Sequence, residues 1–480
     1  SSHIVERETL RECVCLSLCV WMWMWMRTQA PLCVCVAVSV LLLTLSVVTA
    51  DSHPVMGQWD TITVEPHDEE AVELFKEYLR CDTRQPTPDY ASSVAVLEKF
   101  ATKYGFQTQR YEVKEGRTFL FVKWAGKDSQ LPAAGFMSHQ DVVPCDAEHW
   151  DRDCLSAFED PASGKIFARG SQDMKSVGIQ HLVAAARLKN SGFQPQRNVI
   201  IMFVPDEEIS ENAFGVRELI KTDFYKTLNL GVVMDEGLAD PSPSVPLTYG
   251  ERSVWWIKIT TEGPPGHGSR FVKGTAMERA HCFADKMLKY RATQEALVGA
   301  WSSDLGRIRE LGDVTTVNLS YLVGGTTKDG GKTYSINVLP TYAEAGFDMR
   351  LAVTQDMDAF EAMLQEFVND CQVRNMTFVN KLPQHSVSSL KEGWGKLIHN
   401  VLVHEAKVDV HPSIFPAASD SRFTRMTGVP SFGYSPMPNT PILLHDHNEF
   451  LERDTFLRGI QPMLILMHAL ASVTQPVPSV

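Results

Sequence analysis

Residues 198–208 read Asn-Val-Ile-Ile-Met-Phe-Val-Pro-Asp-Glu-Glu, and this stretch decides the fold. Asn198 to Val204 is a continuous apolar run, β-branched and about strand length. Such a run predicts a strand buried on both faces, hence a parallel sheet in an α/β unit. It ends directly at the acidic trio Asp206, Glu207 and Glu208. Two shorter runs have the same form: Gly135-Phe-Met-Ser-His139 ends at a histidine, and Leu230-Gly-Val-Val-Met-Asp235 ends beside Glu236. Ligands of open α/β sheets bind outside the carboxyl ends of the strands. The three runs therefore bring His139, the acidic trio and Glu236 to one edge.

Two more ligand-type residues lie outside these runs. Asp173 precedes Met174, Val177, Leu182, Val183, Ala186 and Leu188, whose spacing predicts a helix over 173–190 that stops at Gly192. A carboxylate at or near that helix start meets the positive end of the dipole. His445 opens the string H-D-H-N-E. His139, Asp173, Glu208, Glu236 and His445 form an imidazole and carboxylate set that suits zinc. Five ligands are one more than a closed tetrahedral site needs, and they suit two zinc ions sharing a carboxylate, an arrangement hydrolases use. Each residue has a plainer reading alone: a hydrogen-bonded structural histidine, a solvated glutamate pair, a charged loop. Five together, three at predicted strand ends, favour a metal site.

The chain has 480 residues, which sets two domains as the starting expectation. Near residue 250 the texture changes. Trp256, Lys258 and Thr260 alternate within 253–261, further strand-like runs follow at 315–323 and 343–351, and helical patterns cover 275–291 and 355–371. This predicts a separate α+β domain with an antiparallel sheet. The expected segments are a leader over 1–50, catalytic segments over 51–250 and 383–480, and an inserted domain over 251–382. The insertion explains the distance of His445 from the other candidates. Apolar residues make up 44% and charged residues 21%, a globular composition. A net charge of -13 argues against nucleic acid or an anionic membrane as partner.

Within the leader, Met26-Arg-Thr-Gln is followed by an apolar run from Leu32 to Val48 and by Val48-Thr-Ala50. The pattern predicts a secretory signal peptide over 26–50 cleaved after Ala50, with no stable membrane span in the mature chain. The alternatives are an uncleaved membrane anchor and, if translation starts after the leader, a cytoplasmic protein. Past the leader the cysteines are Cys81, Cys145, Cys154, Cys282 and Cys371, an odd and sparse set that does not read as a disulfide framework. Cys145 and Cys154 can pair in an oxidising compartment, where Asn318 and Asn375 would be glycosylation candidates.

The strings S-H-Q-D-V-V-P (138–144), A-R-G-S-Q-D-M-K (168–175), F-V-P-D-E-E (203–208), M-D-E-G-L-A-D-P (234–241), G-E-R-S-V-W-W (250–256), P-G-H-G-S-R-F (265–271), N-V-L-P (337–340), F-D-M-R (347–350) and L-L-H-D-H-N-E (443–449) together resemble the aminoacylases. These are N-acyl-amino-acid amidohydrolases of the dizinc exopeptidase family that includes carboxypeptidase G, and the resemblance runs from about residue 60 to 475. It implies an α/β zinc-exopeptidase-like catalytic domain with a mostly parallel sheet, interrupted by an α+β lid and dimerisation domain. It implies Asp173 bridging two zinc ions per subunit, with His139 and Glu236 on one and Glu208 and His445 on the other. Asp141 would orient the His139 imidazole through its carboxylate. Glu207 would be the general base, taking a proton from the attacking water and returning it to the leaving amine. His267 resembles a histidine that reaches a neighbouring subunit's active site and stabilises the oxyanion, so a homodimer is implied; its alternative is a turn histidine. Asn337, Arg350 and Arg422 would hold the substrate, the arginines through its carboxylate; structural ion pairing is the alternative for both arginines. After Glu208 the family has glycines, whereas here Ile209-Ser-Glu-Asn212 follows.

These readings imply zinc-dependent hydrolysis of N-acyl-L-amino acids to an amino acid and a carboxylate. The rivals are a dipeptidase or carboxypeptidase of the same family, and an inactive binding protein on this scaffold.

Overall fold

The computed structural model describes residues 68–209, 213–305 and 307–474. The expected leader lies outside them, as do residues 210–212 of the departure after Glu208. All described residues fall within one structural unit.

The apolar runs form strands because only a sheet covered on both faces can bury them. Strands β1 (Gln107–Glu112), β2 (Thr118–Trp124), β3 (Ala133–His139), β4 (Val199–Val204), β5 (Leu230–Asp235) and β6 (Val245–Glu251) come before the insertion. The insertion contributes β7 (Ser253–Glu262), β8 (Thr316–Gly324), β9 (Tyr342–Leu351) and β10 (Asn375–Lys381), and β11 (Val410–Phe415) and β12 (Ser431–Tyr434) follow it. Eight strands make one mixed sheet in the order β1-β2-β4-β3-β5-β12-β6-β11. Its centre is parallel: β4, β3, β5 and β12 pair in register in one direction. Every residue of β3 and β4 is buried.

Helices α1 (Glu69–Leu79), α2 (Tyr90–Lys103), α3 (Lys175–Asn190) and, after the insertion, α6 (Gly393–Asn400) and α7 (Arg453–Ser472) belong to this sheet's layers. The helix predicted over 173–190 starts at Lys175, so Asp173 stands just before it. α3 is buried nearly all round because it packs against β3, α1 and α7, which matches its weak amphipathic pattern.

The chain leaves this sheet at Glu251 and enters the second one at Ser253. That sheet is antiparallel, in the order β8-β9-β7-β10. Helices α4 (Ala276–Glu295) and α5 (Met357–Asp370) belong to the same insertion. Trp255, Ile257 and Ile259 of β7 join Phe347, Met349 and Leu351 of β9, Phe283 and Met287 of α4, and Phe360 and Leu364 of α5 in one core. Trp256, Lys258 and Thr260 take the other face, as the alternation requires. A capping box between Thr275 and Glu278 starts α4.

The cysteines depart from the sequence expectation. Cys145 pairs with Cys154, but Cys282 also pairs with Cys371, leaving Cys81 free and buried. The second bond joins α4 to the residue that ends α5, an adjacency that exists only once both helices pack in the insertion's core. Among the described residues no helix is long and apolar enough to cross a membrane.

A Cβ at Gly178 of α3 would lie 2.6 Å from Ser138 Oγ and 2.9 Å from the Phe203 ring. Gly178→Val is expected to destabilise the protein by about 1–3 kcal/mol through overpacking, read as a lower urea midpoint. An unchanged midpoint would mean that α3 shifts freely against β3 and β4.

Candidate metal centre and active site

The parallel centre of the sheet sets the site. His139 is the last residue of β3, Glu236 follows β5, and Glu207 and Glu208 follow β4 after a two-residue step. Asp173 comes from the loop before α3, and His445 from the segment between β12 and α7. The peptide after Asp173 is cis, and His445 has a φ of 60°.

Two groups of ligand-type atoms result, and Asp173 belongs to both. His139, Asp173 and Glu236 form one, and Asp173, Glu208 and His445 the other, with the ligand atoms of each within 4.8 Å of one another. His139 Nε2 is 3.0 Å from Asp173 Oδ1 and 3.7 Å from Glu236 Oε2. His445 Nε2 is 3.3 Å from Asp173 Oδ2 and 2.9 Å from Glu208 Oε2. Asp173 thus turns one oxygen to each histidine. All five are buried or partly buried except His445.

The electrostatics suit cations here. Burial, and then the charge of Asp173, push the Glu208 carboxyl up to about 7. Burial pushes Glu236 and Glu207 well above the usual carboxylate range; each also feels a neighbouring carboxylate, while His139 and Arg422 oppose the respective rises. Glu208 Oε1 is buried with no hydrogen-bond partner. Divalent cations would relieve this crowding, and each group offers three nitrogen or oxygen donors, the number a catalytic zinc site uses. The residues therefore fit two metal ions.

The two adjacent glutamates are kept apart by a hydrogen-bonded turn. The Asp141 carboxylate accepts the backbone N–H of Glu207 at 3.1 Å and of Glu208 at 3.0 Å. It was expected to hold the His139 ring, but that role falls to its own backbone carbonyl, 2.9 Å from Nδ1, while the carboxylate stands 4.0 Å away. Gln85 donates to both Asp141, at 2.8 Å, and Asp206, at 3.1 Å. Asp206 has a φ of 62°, an unfavourable backbone region for a non-glycine residue. Tyr90 Oη at 2.9 Å, Phe214 N at 3.0 Å and Arg117 Nη1 at 3.0 Å hold its carboxylate in place. Sequence reading took Asp206 only as one acid of a trio and passed over Gln85, since a lone glutamine in a loop carries no periodic signal.

A cavity of about 860 Å³ opens from Glu207, Glu208 and His445 toward the inserted sheet. Arg350 and Arg422 both line it. The Arg350 guanidinium already grips Asp348 with two prongs, at 2.8 and 3.0 Å. Arg422 is different: Nη1 lies 3.6 Å from Glu207 and 3.7 Å from Glu251, and Nη1 and Nε have no hydrogen-bond partner. His267 and Asn337 do not line this cavity. They sit together on an exposed ribbon, where His267 faces Val338 and Asn337 accepts the Gly268 N–H at 2.8 Å.

Metal-ligand triads at the carboxyl edge of an α/β sheet, beside a glutamate that belongs to neither and a substrate-sized cavity, define a metal-dependent hydrolase. The model of peptidase family M20/M25/M40 matches residues 135–469, and the chain belongs to that family. It is 40% identical to aminoacylase-1 of Dictyostelium discoideum, over 82% of this chain and 95% of the relative. It is also 40% identical to aminoacylase-1 of Mus musculus, over 86% and 98% of the two chains. Its fold is similar to that of the metallo-carboxypeptidase Sso-CP2 from Sulfolobus solfataricus, with a TM-score of 0.62 at 17% identity, over 84% of this chain and 99% of that one. The chain is an amidohydrolase, and the reaction is metal-dependent amide hydrolysis of a small-molecule substrate.

Glu449 ties the loops of Asp173 and His445 together. Its buried carboxylate accepts from Arg169 Nη1 at 2.8 Å, Gly170 N at 3.1 Å and Gln172 N at 2.7 Å. Glu449→Ala is expected to loosen both loops and lower bound metal at least severalfold, in the range that supporting residues of metal sites show. Elemental analysis after dialysis checks this, and full metal content in the variant would refute it.

Proposed function

We propose that this chain hydrolyses N-acyl-L-amino acids to a free amino acid and a carboxylate, using two zinc ions and Glu207 as general base. The observation that carries the reading is the pair of triads sharing Asp173, with Glu207 beside them but in neither. His139, Asp173 and Glu236 would hold one zinc, and Asp173, Glu208 and His445 the other. Zinc bound there supplies Lewis-acid polarisation of the amide carbonyl and a lowered pKa for water.

Glu207 accepts the proton of the attacking water and delivers it to the nitrogen as the C–N bond breaks. Burial raises its proton affinity, which strengthens it as the acceptor of the water's proton. Asp141 and Asp206 fix the backbone that carries Glu207 and Glu208 at the cavity. Arg422 takes the free carboxylate of the substrate, because its Nε and Nη1 make no hydrogen bond, whereas Nε and Nη2 of Arg350 are bound to Asp348. Similarity to aminoacylase-1 over most of both chains supports an acyl-amino acid over a peptide substrate.

Homodimerisation is part of the proposal. His267 and Asn337 lie on an exposed ribbon away from the chain's own cavity, so a second copy is the natural recipient. Secretion is also proposed, and the two disulfides are the form an oxidising compartment favours. A mature chain beginning at Asp51, read by N-terminal sequencing, is the expected result.

Purified protein is expected to hold two zinc ions per chain by elemental analysis and to hydrolyse N-acetyl-L-methionine. Glu207→Gln should keep the zinc and lose about 10²–10⁴-fold in kcat. Near-normal turnover in that variant would remove Glu207 from the reaction, and a protein with neither metal nor hydrolysis would sink the proposal.

A further inference from the structure

Where the chain enters the short helix Ser421–Met426, two side chains of opposite sign hold atoms without hydrogen-bond partners. Asp420 is 3% exposed, and its Oδ2 has no hydrogen-bond partner. Arg422, two residues on, leaves Nε and Nη1 without one. Both side chains line the cavity beside Glu207, and Asp420 belongs to neither metal-ligand group. The backbone between them is pinned. Ser421 gives its backbone N–H at 2.9 Å and its hydroxyl at 2.8 Å to Asp235, which ends β5 beside Glu236. The Ser419 N–H and the Arg425 guanidinium both go to Glu251. Buried acceptors and donors are nearly always satisfied, so a fixed pair without partners in the wall of a cavity fits a ligand that carries both complements.

We infer that Asp420 and Arg422 form one receptor for the amino-acid half of the substrate, with Arg422 binding its carboxylate and Asp420 its nitrogen. The inference rests on the amidohydrolase reading above and adds Asp420 to it. An α-amino acid holds a carboxylate and a nitrogen on one carbon, so two receptors two residues apart suit it. In the substrate the nitrogen is an amide with a single N–H. During hydrolysis the water oxygen bonds to the acyl carbon, the C–N bond breaks with its electron pair going to nitrogen, and nitrogen gains the proton that Glu207 carries. The water's second proton leaves as the acyl product becomes a carboxylate and also passes to nitrogen, which becomes an ammonium with three donors and a positive charge. Its attraction to Asp420 therefore grows along the reaction, and only a contact that strengthens in that direction speeds the chemical step. An ammonium beside Asp420 also favours the ionised form of that buried carboxyl.

The test separates nitrogen from carboxylate. L-methionine and 4-(methylsulfanyl)butanoate share the carboxylate and the side chain, and only methionine has the ammonium. Calorimetric titration of the zinc-loaded full chain is expected to show methionine binding about tenfold tighter, the worth of a charge-assisted contact. In Asp420→Asn and in Asp420→Ser the preference should fall to near onefold, with binding of the butanoate changed less than about threefold. Two variants guard against one failing to fold, and circular dichroism and zinc content report the fold of each. Arg422→Lys should weaken both acids alike and keep the preference. Retention of the preference in a folded Asp420 variant would overturn the inference. So would a wild type that hydrolyses N-acetyl-L-methionine yet does not prefer methionine, and in that case the functional reading survives. A wild type that neither hydrolyses that substrate nor binds either acid would overturn both.

Discussion

One carboxylate faces two histidines. Asp173 points Oδ1 at His139 and Oδ2 at His445, and every other part of the site follows from that geometry. His139 ends a central strand, whereas His445 comes from a loop near the end of the chain. For both to reach one aspartate, the loop before α3 and the segment between β12 and α7 must meet outside the same sheet edge. Glu449 makes that meeting durable by capping the backbone of the Asp173 loop from the His445 side. The price of concentrating so many carboxylates is raised proton affinity at Glu207, Glu208 and Glu236, which bound cations would offset.

The division of labour between Glu207 and Glu208 has a similar local cause. Adjacent side chains on an extended segment point opposite ways, but only a fixed backbone makes the difference reliable. Here two buried carboxylates do the fixing: Asp141 through the N–H groups of Glu207 and Glu208, and Asp206 through its own left-handed backbone, with the Gln85 amide between them. Both line the cavity, but one glutamate then serves a metal triad and the other stands in neither. The inserted sheet lines the same cavity with Trp256, Asp348 and Arg350, so both parts of the fold build its wall.

Much of the fold was legible in the chain because burial on two faces leaves a strong mark. The run from Asn198 to Val204 had to be a central strand, and the segment 230–235 behaves the same way. Alternation through 253–261 announced the second sheet for the complementary reason, since one face meets the insertion's core and the other does not. Features made by single residues were harder to read. The Cys282–Cys371 bond joins positions 89 residues apart and leaves no spacing signal. Gln85, Asp206 and Asp420 belong to loops and turns, where polar residues are ordinary. The orienting group for His139 could not be read at all, because carboxylate and carbonyl of Asp141 are equivalent candidates until the chain is folded.

The amino-acid sequence by itself determined the three central strands, the helix after Asp173, the insertion and which residue types arrive at the sheet edge, because periodicity and strand-end position are local properties of a chain. Only the tertiary structure decided which oxygen of Asp173 meets which histidine, which arginine keeps its donors open, and that His267 and Asn337 stand apart from their own cavity. Those outcomes depend on distances between segments hundreds of residues apart, and such distances exist only after the two sheets, and the loops between them, have packed.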